Sequence, residues 1–407
     1  SNKERDLIKG EFQNFGFESR FLHRYNFKDK KNVFLIGIKF YKSNNDSEQG
    51  PGSSSSDADF KFSLDNFPNY NNQSKYNYPN LNYSLFGENI LYFSDKLSFT
   101  PGFRFEYIKT QSDGYYKKIN LDAAGNVIFN STINDNEIRK RNFFLFGLGI
   151  SFKASKAFEF YANVSENYRS VTFADISISN PAYSINPEIS DENGSTFDFG
   201  FRGNYKKKFS YDFGFFSLFY NDRIGFVQKA FKDGSVKSEK GNVGNAVMYG
   251  IESLIDFDLN NIFLNNNNYS FNYFINSSII NSEYTNSDIP GVMGNKVEFV
   301  PNLNIKSGFK FGHKNLMLNL QYTYLSKQFT DASNAKKSNL SGLIGEIPFY
   351  DILDFSASYF FKTFKFETGM NNVLNKNYFT RRATGYPGPG IIPSQPRSIY
   401  LTIQFKI

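Results

Sequence analysis

Neither cysteine nor tryptophan occurs in this 407-residue chain, and histidine occurs only twice. The missing cysteines exclude disulfides and fit an oxidising compartment that avoids stray bridges. With only His23 in a strand-like run and His313 in the turn "FGHKN", no shared metal centre is expected. No window reaches 18 consecutive apolar residues, which excludes a transmembrane helix. The first ten residues, "SNKERDLIKG", are charged and start without Met. No secretory leader is read there, and the natural N-terminus is expected upstream. Catalytic signals are equally scarce. "GFKFG" and "GLG" lack a following helix and do not point to phosphate binding. No nucleophile, base and orienting group occur together, so neither enzymatic activity nor a cofactor is expected.

The formal net charge is +7 and the pI about 9.0. Lysine and arginine are scattered, and the densest runs, "KDKK" at 28–31 and "YKKKF" at 205–209, sit at expected turns. That dispersal argues against nucleic-acid binding. Spaced acids in "DADFKFSLD" at 57–65 could hold calcium, but a solvated acidic face is the simpler reading.

Aromatic residues are what the chain has in excess: 49 Phe and 27 Tyr, in a sequence whose mean hydropathy is −0.47. They alternate with polar residues. Leu316, Leu318, Leu320, Tyr322 and Tyr324 oppose Asn315, Met317, Asn319, Gln321 and Thr323. At the C-terminus Ile399, Leu401, Ile403, Phe405 and Ile407 oppose Ser398, Tyr400, Thr402, Gln404 and Lys406. This period of two gives about fifteen strands. They lie near 10–26, 32–43, 79–94, 97–110, 141–154, 157–169, 194–207, 209–228, 244–259, 268–283, 296–312, 315–328, 347–361, 364–374 and 397–407.

One oily and one wet face can be satisfied by a sandwich or by a barrel with lipid outside and water within. Sandwich strands average five or six residues, whereas a tilted membrane strand needs about nine to eleven. The strands here run longer. Aromatics gather toward strand ends, as in "FEYIK" at 105–109 and "LFYNDR" at 218–223, where a bilayer favours an interfacial girdle. Joins alternate between short ("KDKK", "SDK") and long (residues 44–78 and 111–140), the asymmetry of outer-membrane barrels. The expected fold is therefore all-β, an antiparallel transmembrane barrel. An odd strand count implies that early strands precede the chain, because single-chain bacterial barrels close with an even number.

Seven blocks resemble TonB-dependent outer-membrane receptors, specifically the ferric-citrate type common in Bacteroidota. They are "LDNFPNYN" (64–71), "LSFTPGFRFEYIKT" (97–110), "SENYRSVTFADISISNP" (165–181), "LFYNDRIG" (218–225), "GNKVEFVP" (294–301), "YLSKQFTDASNA" (324–335) and "NNVLNKNYFTRRATGYPGPGIIP" (371–393). The resemblance implies a barrel of about 22 strands, of which residues 1–407 would be the C-terminal portion, without the N-terminal plug and roughly seven early strands. It implies import of a ferric chelate, ferric citrate or a similar siderophore, energised through the plug by the TonB–ExbB–ExbD complex. It also implies a monomer in the outer membrane of a Gram-negative cell, bounded by lipid and lipopolysaccharide. Import of glycans or peptides is the alternative, and a secreted β-sandwich adhesin is a more distant one.

For a compact polyanion, guanidinium groups suit carboxylates better than ammonium groups do. Arg381 and Arg382 sit in a loop stiffened by Pro387, Pro389, Pro393 and Pro396, and Arg169 opens another loop. With Gln328 and Tyr386 as hydrogen-bonding partners, these are the candidate substrate-binding residues. Against that stand plainer roles: the paired arginines could meet lipopolysaccharide phosphates or brace loops, and Arg169 could anchor its own loop through Glu166 or Asp175.

Overall fold

The computed structural model describes residues 4–406, apart from 55–58, 173–174, 176–182, 231–235, 267, 340–341 and 384–389. Alternation of this kind can bury backbone polarity only by lateral pairing, and the chain does so from end to end. The elements are β1 (Asp6–Phe27), β2 (Lys30–Pro51), β3 (Ser74–Tyr92), β4 (Leu97–Leu121), β5 (Val127–Ser155), β6 (Phe158–Arg169) and β7 (Tyr183–Ile185). There follow β8 (Glu192–Tyr205), β9 (Phe209–Ala230), β10 (Val236–Asp258), a π-helical turn (Asn260–Leu264), β11 (Tyr269–Asn286), β12 (Leu303–His313) and β13 (Leu316–Leu325). The last are β14 (Gln328–Phe329), β15 (Glu346–Ile347), β16 (Tyr350–Phe361), β17 (Phe364–Asn371), β18 (Phe379–Ala383), β19 (Gly390–Pro393) and β20 (Ser398–Phe405).

One sheet takes the order β1-β2-β3-β4-β5-β6-β8-β9-β10-β11-β12-β13-β16-β17-β20, with β7 pairing β10 off this path. The path visits its strands in sequence order, with β7, β14, β15, β18 and β19 lying off it, and among the described residues its fifteen strands match the number read from the alternation. The pairs β14–β15 and β18–β19 form separate two-stranded sheets. By packing, the chain divides into two compact units. The first comprises Ser1–Ile90, Pro101–Phe146 and Val171–Pro181; the second comprises Leu91–Thr100, Gly147–Ser170 and Ala182–Ile407.

Register keeps the two faces apart. Across β13 and β16, Leu318 pairs with Ala357, Leu320 with Phe355 and Tyr322 with Leu353, while Asn319 pairs with Ser356 and Gln321 with Asp354. A slip of one residue would place every leucine on the wet face. Among the described residues none covers this oily side: Leu320, Tyr322 and Phe355 are each 38% exposed, and Ile399 and Leu401 nearly 70%. Facing water, so much contiguous apolar surface would drive aggregation.

Alternate joins are short, with two-residue turns at 28–29, 156–157, 314–315 and 362–363. The joins between them are long. Two of the expected long loops, however, are continued hairpins: β4 and β5 run on to a turn at 122–126, and β9 reaches Ala230 before β10 resumes at Val236. Residues 296–302, read as the start of a strand, form a loop instead, with Phe299 at φ 60° and Val297 fully buried.

Glycine on the polar face lets strands approach closely. A Cβ at Gly308 would stand 2.4 Å from the Leu320 carbonyl oxygen and 2.8 Å from the Phe274 ring, which lies over the glycine. Gly308→Val should therefore lower stability by about 1–3 kcal/mol through overpacking. Heat-induced loss of the folded band on detergent gels should shift to lower temperature; an unchanged transition would contradict this register.

Candidate functional site

Three long connections of the second unit, 287–302, 326–349 and 372–397, are tied into one body. Its centre is a small apolar core, among the described residues, of Val227, Val243, Ala246, Tyr284, Val292, Val297 and Ala332. Gly291 and Gly294, at φ 77° and 83°, turn the first connection back over the ends of β10 and β11, a conformation costly for other residues. Asn334 joins it to the second connection, its Oδ1 accepting from Lys296 N at 2.7 Å and its Nδ2 donating to Lys296 O at 2.8 Å. The Ala332 carbonyl accepts from Asn295 Nδ2 at 2.8 Å. Within the second connection, Thr330 Oγ1 donates to Gly345 O at 2.9 Å and accepts from Gly345 N at 3.0 Å.

Two buried carboxylates here, Glu298 and Glu192, have cationic partners. Glu298, 4% exposed, accepts from Tyr284 Oη at 2.7 Å and pairs with Arg223 Nη2 at 3.4 Å. Removing Arg223 would strand a buried carboxylate. Glu192 accepts from Ile224 N at 2.6 Å and pairs with Arg169 Nη1 at 3.5 Å. Tyr284, Arg223, Glu298 and Asn334 were not among the sequence candidates. The glutamate inside the apolar run "VEFV" was the available signal, since a buried carboxylate there requires a partner.

Arg169 thus stands opposite Glu192 in the β6–β8 register and is paired with it. Asp175, in the first unit, accepts from Thr172 N and Oγ1, both at 2.9 Å. Gln328 is buried in β14. Tyr386 lies outside the described residues, as do Pro387 and Pro389.

Arg381 and Arg382, expected in a proline-stiffened loop, lie on a short strand. Beyond an irregularity after Phe379, they occupy consecutive positions of β18, opposite Ile392 and Ile391. Consecutive strand residues face opposite ways, so the two guanidinium groups diverge. Arg382 turns toward the second connection, donating to Gly342 O at 3.0 Å, Ser338 Oγ at 3.1 Å and Glu346 O at 3.2 Å. Its Nε is buried without a partner, and desolvation pulls its pKa below the ordinary arginine value while leaving it charged. Arg381 is exposed. The pair therefore separates into a staple and a free-facing cation. Among the described residues no three metal-ligating side chains cluster, and Asp59 is engaged by Lys61 N and Ser53 Oγ.

Residues 3–373 match the family described as TonB dependent receptor-like, beta-barrel. The chain belongs to this family. Its members are barrels of the outer membrane, and the all-β antiparallel barrel fold read from alternation is the fold of this receptor. Among the described residues no helix is long and apolar enough to cross a membrane. Among curated proteins none matches significantly. Among solved structures, the unliganded ferric citrate transporter FecA is 18% identical, with TM-score 0.71, over 98% of this chain and 55% of that one. The ferric yersiniabactin uptake receptor FyuA from Yersinia pestis is 14% identical, with TM-score 0.72, over 100% and 56%. The copper transporter OprC is 15% identical, with TM-score 0.68, over 98% and 57%. The receptor chain thus spans little more than half the length of these structures. At such identities they share its fold.

Arg382→Ala should release the β18–β19 hairpin from the second connection. Loss of its bonds, about 1.5–3 kcal/mol for a charged group, predicts amide exchange roughly 10- to 100-fold faster in 342–347 and 379–383. Exchange in β12 and β13 should not change; equal acceleration there would show a global role instead.

Proposed function

We propose that the complete receptor imports a ferric chelate, ferric citrate or a similar siderophore, across the outer membrane of a Gram-negative cell. The observation that carries this reading is Arg381: an exposed guanidinium on a hairpin fixed from behind by Arg382. A compact, carboxylate-rich anion is suited to a forked donor of this kind. Holding the hairpin before the ligand arrives lowers the ordering entropy that binding must overcome. Arg169, Gln328 and Tyr386 are proposed as further contacts of the chelate, with Arg169 already paired with Glu192 and Gln328 reachable only if the buried β14 side chain is uncovered.

Two facts support the substrate class. Solved structures of this fold include proteins named as ferric citrate and ferric yersiniabactin receptors, and the sequence blocks resemble the ferric-citrate type. The fold also includes a copper transporter, so fold alone does not choose the cargo. Energy would come from TonB with ExbB and ExbD, acting through a plug, and lipopolysaccharide would border the barrel outside. The chelate is cargo, and no resident cofactor is proposed.

Deleting the gene should abolish growth on ferric citrate as sole iron source. A copy carrying Arg381→Ala should bind the chelate roughly 10- to 100-fold more weakly, as expected for one lost charge-assisted contact, with Arg381→Lys intermediate. Unchanged growth of the deletion strain would remove ferric citrate as substrate. Unchanged binding by Arg381→Ala would remove Arg381 from the site.

A further inference from the structure

Lysine is concentrated at the short-turn ends of the second unit. The connecting residues there carry Lys96, Lys156, Lys206, Lys207, Lys208, Lys314 and Lys362 against a single acid, Asp95. Turn geometry does not explain them. Lys206, Lys207, Lys314 and Lys362 have φ of 44°, 58°, 50° and 52°, left-handed positions where glycine or asparagine fits with less strain.

The turn at 206–208 has a second feature. It packs beside the π-helical turn, where Asp258 N donates to Lys208 O at 2.7 Å and Asn261 Nδ2 to Lys207 O at 3.4 Å. Asp258 itself is occupied by Asn261, which donates from N at 2.9 Å and from Nδ2 at 2.7 Å. Beside the three exposed lysines the π-helical turn presents Phe263, 76% exposed, and Leu264, 57% exposed. Above both runs a chain of touching rings, Tyr205, Phe209, Phe257, Tyr273 and Phe309, with centroids 4.8–6.2 Å apart. Lys206 Nζ lies 5.2 Å from the Tyr205 ring, and Lys362 repeats the arrangement 5.5 Å from Phe361.

Rings at the hydrocarbon boundary, bare apolar side chains at the tip and uncompensated ammonium groups beside them form the layering of a lipid interface. We infer that Lys206, Lys207 and Lys208 with Phe263 and Leu264 form a foot that binds anionic phospholipid headgroups of the leaflet at the short-turn end. In barrels of this kind that is the periplasmic leaflet. An acidic protein segment would satisfy the lysines but would leave Phe263 and Leu264 in water. The inference rests on the barrel's seat in a membrane and is independent of its cargo.

The test uses the full-length receptor carrying Phe263→Trp, its emission taken as the difference from the parent protein, in vesicles containing brominated phosphatidylglycerol or brominated phosphatidylcholine. The introduced indole should be half-quenched at a mole fraction of the anionic lipid at least about fivefold lower than of the zwitterionic one, about the effect of one surface lysine. K206Q/K207Q/K208Q should erase that preference, as should 1 M salt. The triple variant should support growth as well as the parent receptor does on the same iron source, whichever that is, which separates this foot from transport. Should it fail to fold, the salt titration of F263W alone decides. Equal quenching by the two lipids would overturn the proposal. So would an indole quenched by neither lipid and shifted only by periplasmic protein, which would assign the foot to a protein partner.

Discussion

Hydrocarbon offers no hydrogen-bonding partner, so every peptide group of a strand that crosses it must find one on the adjacent strand. That requirement makes the meander continuous and forbids a slip between neighbours, because one residue of slip exchanges the oily and wet faces. The pairing of Leu320 with Phe355 and of Gln321 with Asp354 follows from it. So does the economy of the short turns, which need only reverse the chain.

At the long-connection end the constraint changes. Connections there leave the ladder and must supply their own order. They do so with a small core around Tyr284 and Val297, with Asn334 imitating a strand partner for Lys296, and with Arg382 pinning the last hairpin to its neighbour. This rigidity gives the exposed Arg381 a fixed place. A cation on a loose loop would lose more freedom on meeting an anion.

Strands inside the bilayer were legible because lipid enforces strict alternation, and the short joins were legible from lysine, asparagine and aspartate at their tips. Beyond the bilayer that enforcement ends. In the β4–β5 hairpin, residues such as Tyr115, Lys117, Asn120 and Asn126 are polar without period, so adjacent strands read as loop. The opposite error occurs at 296–302, where Val297 and Phe299 alternate with polar neighbours yet serve a local core. The arginine pair was visible, but its division was not, because it depends on the hairpin that places the two residues on opposite faces. The buried triad of Arg223, Tyr284 and Glu298 joins three segments distant in sequence, and only the fold brings them together.

The most direct measurement is solvent accessibility along β13. Single cysteines, clean in a chain that has none, can be introduced at 318 to 323 and spin-labelled in the reconstituted receptor. Positions 318, 320 and 322 should relax with oxygen and be shielded from a water-soluble nickel chelate, while 319, 321 and 323 show the reverse. Uniform accessibility, or shielding of the leucine positions from both relaxants, would contradict a lipid-facing sheet.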